Sequence, residues 1–97
     1  MDLSSLKKEL QETFDAILEH TSQGELPDIE HVNSFIRLSR HMVGMASDEW
    51  ALEADDFAHL AEELLLLVRQ KDIQASTMLA ESLQEAQTYC HRMFRES

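Results

Sequence analysis

The chain's chemistry would have to come from its five histidines and nineteen carboxylates. Two Asp-x-x-His pairs, Asp28-x-x-His31 and Asp56-x-x-His59, have a spacing that brings both groups to one side of a helix. Bundle di-metal sites use Glu-x-x-His in the same way. Here each pair falls at a candidate helix start rather than in mid-bundle, and no bridging glutamates sit on the other apolar stripes. Both pairs therefore read as polar surface, and no metal and no other cofactor is expected. Cys90 and His91 are adjacent, so on a helix their side chains diverge by about 100°. Cys90 reads as core filler. His41 differs, because an unprotonated imidazole near neutral pH is a competent nucleophile. The chain carries no Gly-rich phosphate loop, zinc-type cysteine cluster or nucleophile elbow.

Helices must position these groups, because two glycines and one proline leave little punctuation and strand-type alternation is scarce. Leu3, Leu6, Leu10, Phe14 and Ile17 step by three and four and predict a helix over 2–22, capped by Asp2 or Ser4 and stopped by Gly24. Pro27 suits a first helical position, and Ile29, Val32, Phe35, Ile36, Met42, Val43 and Ala46 follow at helical spacing. Residues 47–54 read either as a link or as a continuation, with Asp55 and Asp56 marking the next start. Phe57, Leu60, Ala61, Leu64, Leu67 and Val68 form the third stripe. Asp72 caps a fourth, in which Ala75, Leu79, Ser82, Ala86, Tyr89 and Met93 recur, widened by Met78, Leu83, Cys90 and Phe94. Short connections favour antiparallel neighbours. The expected fold is all-α, an up-down four-helix bundle forming a single domain over 1–97.

The formal net charge of -11 argues against direct binding to nucleic-acid phosphate or to an anionic membrane surface. The longest apolar run, Leu64 to Val68, is far too short to span a bilayer, and residues 1–5 lack the features of a signal peptide. With one cysteine there is no internal disulfide, and a cytoplasmic setting is the expectation.

The most informative stretch is Val32-Asn33-Ser34-Phe35-Ile36-Arg37-Leu38-Ser39-Arg40-His41-Met42-Val43-Gly44-Met45-Ala46. It resembles the second helix of histidine phosphotransfer domains, especially the one that begins chemotaxis-type histidine kinases. That family reads approximately Ile-Asn-x-x-Phe-Arg-x-x-His-x-x-Lys-Gly-x-Ala, and Val32, Asn33, Arg37, Gly44 and Ala46 match it. Phe57 to Leu64 is similar to the family's third helix. The resemblance implies a four-helix bundle whose second helix exposes a phospho-accepting histidine to a receiver domain. It also implies a lysine beside the phosphoryl group and a glycine that leaves room for the receiver.

The chemical positions depart from that pattern. Aligned on Gly44, the accepting position holds Arg40 and the lysine position Val43, and the supporting histidine and glutamate correspond to Glu62 and Leu65. Arginine keeps its charge and carries no phosphate in such a relay. The resemblance thus implies a degenerate phosphotransfer domain with its docking shape kept. Its expected partner is a receiver domain or a histidine kinase, met by Arg40, His41, Val43, Gly44 and Ser47 of the second helix, with His59, Glu62 and Glu63 at the border. Arg40 would pair with the acidic pocket of a receiver.

Three other readings compete. His41, one residue past the accepting position, would serve an active phosphotransfer protein, but that register puts the bulky Met45 where the receiver needs clearance. The acidic surface could mimic nucleic acid toward a basic partner, though the acids are spread over all four helices. Trp50, Met42 or Met45 could join two copies of the chain. Gly44, alternatively, permits close packing of two helices.

Overall fold

The computed structural model describes the backbone of residues 2–94 and the side chains of Asp2 and 4–88. The stripe positions Leu3, Tyr89, Cys90, Met93 and Phe94, and the Cys90–His91 pair, therefore lie outside the described side chains. Four helices follow in order: α1 (Leu3–Thr21), α2 (Ile29–Met45), α3 (Ala51–Arg69) and α4 (Ile73–Phe94). Among the described residues there is no strand. Each helix packs on its neighbour in sequence, and α4 returns to α1, closing an antiparallel bundle of 36 × 23 × 19 Å.

Local chemistry sets most boundaries. Asp2 caps α1 by accepting from the Ser5 backbone N–H at 2.8 Å, and this bond is the main reason its carboxyl sits below the usual range. Asp28 caps α2 through the Glu30 N–H at 2.9 Å, and Asp72 caps α4 through the Ala75 N–H at 3.0 Å. Pro27 is therefore not the first helical residue. It is buried just before the cap, and the helix starts at Ile29. The larger correction concerns α3, which begins at Ala51 rather than at Asp55. Trp50 precedes it, with its N–H on the Ser47 carbonyl at 3.1 Å and its own carbonyl accepting from Ala54. Burial of the indole, 9% exposed, anchors this start where no polar side chain caps it. A Trp50 this buried offers no surface to a second copy and Met42 packs against the core, whereas Met45, the third residue of that reading, is exposed.

The core is one continuous cluster. Leu6, Leu10, Phe14 and Ile17 of α1 face Val32, Phe35 and Leu38 of α2, and Phe57, Ala61, Leu64 and Val68 of α3. Phe35 stacks on Phe14 with ring centroids 5.2 Å apart and meets Phe57 edge-on at 5.5 Å. In α4 the buried line is Ser76, Ala80 and Leu83, while Ser82 and Met78 face outward. Leu83 belongs to the expected stripe, and Leu79 and Ala86 of that stripe pack partly buried against the core. Ser76 and Ala80 were passed over, because small side chains carry little hydropathy yet fit a helix that packs closely.

Two buried hydroxyls, Ser39 and Ser76, find no hydrogen-bond partner among the described residues. An unsatisfied buried hydroxyl costs free energy that an alanine does not. Ser39→Ala should therefore raise unfolding free energy by about 1 kcal/mol in urea titrations.

The α1 and α3 ends share one hydrogen-bond pattern. After α1, the N–H groups of Glu25 and Gly24 bond the His20 and Thr21 carbonyls, with Gly24 at φ +74°. After α3, the N–H groups of Asp72 and Lys71 bond the Leu67 and Val68 carbonyls. Here Lys71 takes the left-handed position, at φ 59°. Glycine holds that conformation without a Cβ penalty, whereas lysine does not. Lys71→Gly should stabilise the bundle by about 1 kcal/mol, a rise of roughly 4–8 °C in Tm for a domain of this size.

Candidate functional site: the α2–α3 face

The second half of α2 lies beside the first two-thirds of α3, and beyond their shared core Arg40 supplies the polar tie between them among the described residues. The Arg40 guanidinium donates from Nε to Glu62 Oε2 at 3.2 Å and from Nη2 to Glu62 Oε1 at 2.6 Å, a bidentate fork. Its Nη1 donates to Asp55 Oδ1 at 2.8 Å. Seven residues separate Asp55 from Glu62, two turns of α3, so both carboxylates flank the same arginine. His59 stands between them on that face, its Nδ1 3.9 Å from Asp55 Oδ2. Arg40 is thus a cross-link inside the bundle and not a solitary cation.

The pairing moves both protonation equilibria. Hydrogen bonding to Arg40 is the main cause that holds the Glu62 carboxyl below the ordinary glutamate range, and the bond to Glu62 is the main cause that raises Arg40. A carboxyl lowered in the folded state contributes stability above its ordinary range and loses that contribution as pH falls through the lowered value. Glu62→Gln should therefore be less stable than the parent at neutral pH, and the gap should close in strong acid. Urea titrations of both proteins at the two pH values would measure it.

Among the described residues, the remaining expected site residues are not bonded to one another, and the structure does not gather them into one constellation. His41 is exposed one step around α2, and no hydrogen bond to its imidazole is present among the described residues. Val43 is half-buried, and Ser47 is exposed in the connection to α3. Gly44 is exposed, and a Cβ built on it meets nothing within 4 Å. It therefore does not serve close packing of two helices. Instead it leaves a gap in the side-chain surface of α2. Glu63 is exposed on α3.

Asp55 is the member of the cluster that sequence reading missed, since Asp-Asp looks like a helix start. The signal was the i, i+4, i+7 spacing of Asp55, His59 and Glu62, which places three polar groups on one helical face. The two Asp-x-x-His pairs part company: Asp28 is spent on the α2 cap, and His59 lies near Asp55 rather than being bonded to Asp56. Among the described residues, no group of three histidine, cysteine or acidic side chains is placed to hold a metal ion. A shallow groove of about 330 Å³ lies elsewhere, between the end of α1 and α4, lined by Leu18, Thr21, Thr77, Glu81 and Gln84. Among the described residues, no helix is long and apolar enough to cross a membrane.

No family model, no curated protein and no solved structure matches this chain.

Proposed function

We propose that this chain is an interaction module of the histidine phosphotransfer type in two-component signalling. It docks a receiver domain or a histidine kinase along the C-terminal half of α2 and carries no phosphohistidine. The observation that carries this reading is the Arg40–Glu62 fork. The two positions that the resemblance aligns with the accepting and supporting residues of the family meet across α2 and α3. An arginine–carboxylate pair stands where phosphotransfer would need an imidazole.

Gly44 supports the same reading, since one turn beyond Arg40 the helix surface is open to an approaching partner. Arg40 uses three of its five N–H groups on Glu62 and Asp55, which leaves two for an acceptor on that partner. The work of such a module is cytoplasmic. It needs no cofactor and no direct contact with nucleic acid or membrane.

The test is binding of the intact chain to isolated receiver domains and histidine kinases of its own host, with Gly44→Trp as the blocking variant. Phosphate transferred from a phosphorylated receiver to His41, and lost in His41→Ala, would replace this reading with an active phosphotransfer protein. Salt-sensitive binding to a basic nucleic-acid-binding protein, indifferent to Gly44, would replace it with an acidic mimic.

A further inference from the structure

The outward face of α3 carries the two most exposed leucines among the described residues, Leu52 at 70% and Leu66 at 58%. Single exposed leucines are ordinary on protein surfaces. These two share one line. They are fourteen residues apart with His59 midway, so the line drifts by only about 20° per seven residues and runs about 21 Å along the helix. Asp56 and Glu63 follow it at the same interval, both exposed. Neither takes part in an ion pair among the described residues, whereas Asp55 and Glu62, nearer α2, are engaged by Arg40.

We propose that this face docks a basic amphipathic helix of a partner protein. Leu52 and Leu66, two seven-residue steps apart with His59 between them, stay in register with a partner helix crossing at the shallow angle of left-handed packing. The flanking carboxylates choose the partner's charge. A second copy of this chain would set Asp56 and Glu63 against like charges, and each copy carries a formal net charge of -11. Lysine or arginine along one side of an apolar ridge complements Asp56 and Glu63 and is drawn to the stripe by the same field. The inference rests on exposure and charge alone and stands apart from the phosphotransfer reading.

The probe is a synthetic amphipathic peptide about 20 residues long, enough to span the stripe, with leucines fourteen apart and lysines flanking them. A control of equal charge has serine in place of the leucines. Fluorescence anisotropy should show the leucine peptide binding at least about tenfold more tightly than the serine control. The double substitution Leu52→Ser and Leu66→Ser should remove that advantage. Asp56→Lys with Glu63→Lys should weaken binding by a similar factor, and amide shifts on binding should map to α3. Gly44→Trp should leave peptide affinity unchanged, so failure here and failure of receiver docking are told apart. Equal affinity for the two peptides, shifts confined to another face, or a dimer of the parent chain that Leu52→Ser and Leu66→Ser dissolve would each overturn the proposal.

Discussion

Phe35→Ala is expected to destabilise the bundle by about 3–5 kcal/mol. Phe35 is 1% exposed and sits between Phe14 on α1 and Phe57 on α3. Removing its ring deletes the buried area and leaves a cavity that three packed helices can close only in part. It also removes one stacked and one edge-on aromatic contact, each worth about 0.5–1.5 kcal/mol beyond the area term. A domain of this length has about 5–15 kcal/mol in all. The variant should therefore lose most of its cooperative thermal transition, or melt tens of degrees lower, as measured by circular dichroism. A parent-like Tm would mean that the aromatic trio is not the centre of the core.

Gly44→Trp is expected to lower affinity for a docked receiver domain or kinase by about a hundredfold, equivalent to about 2.7 kcal/mol, while the Tm stays near that of the parent. The two halves of that expectation have separate causes. A Cβ at Gly44 meets nothing within 4 Å, so the indole projects outward and the fold has no reason to suffer. Replacing a helical glycine also recovers up to ~1 kcal/mol of backbone propensity. On the outside, a large ring fills the gap through which a partner would approach α2, and interfaces tolerate overpacking poorly because they are as dense as interiors. Binding titrations with the isolated partner domain measure the first half and circular dichroism the second. Unchanged affinity with the fold intact would move the docking surface away from α2.

Much of the architecture was legible because it rests on short-range physics. The step of three and four in Leu6, Leu10, Phe14 and Ile17 predicts a buried stripe, and all four are buried. Asp2 and Asp72 cap where their side chains can reach backbone N–H groups three residues on, a contact requiring no knowledge of the rest of the fold. Gly24 ends α1 because the turn there needs a positive φ. The start of α3 was not legible. Asp55-Asp56 has the look of a cap, but the helix extends back to Ala51 on the strength of the buried Trp50. Ser76 and Ala80 of α4 also escaped, since hydropathy gives a serine no reason to be inside.

For the candidate site the division is sharper. From the sequence, Arg40 was a cation awaiting an external partner; in the structure it is bonded to Asp55 and Glu62, 15 and 22 residues away. The sequence by itself determined four amphipathic helices, the aspartate caps of α1 and α4, the glycine stop of α1 and the acidic charge, because each follows from hydrogen bonds and side-chain spacing within a few turns. Only the tertiary structure decided that Arg40 is clamped between two carboxylates of α3, that Gly44 opens to solvent and that Leu52 and Leu66 stay uncovered. Those depend on which face of each helix meets its neighbour, and that is set by mutual burial of apolar surface across the whole chain.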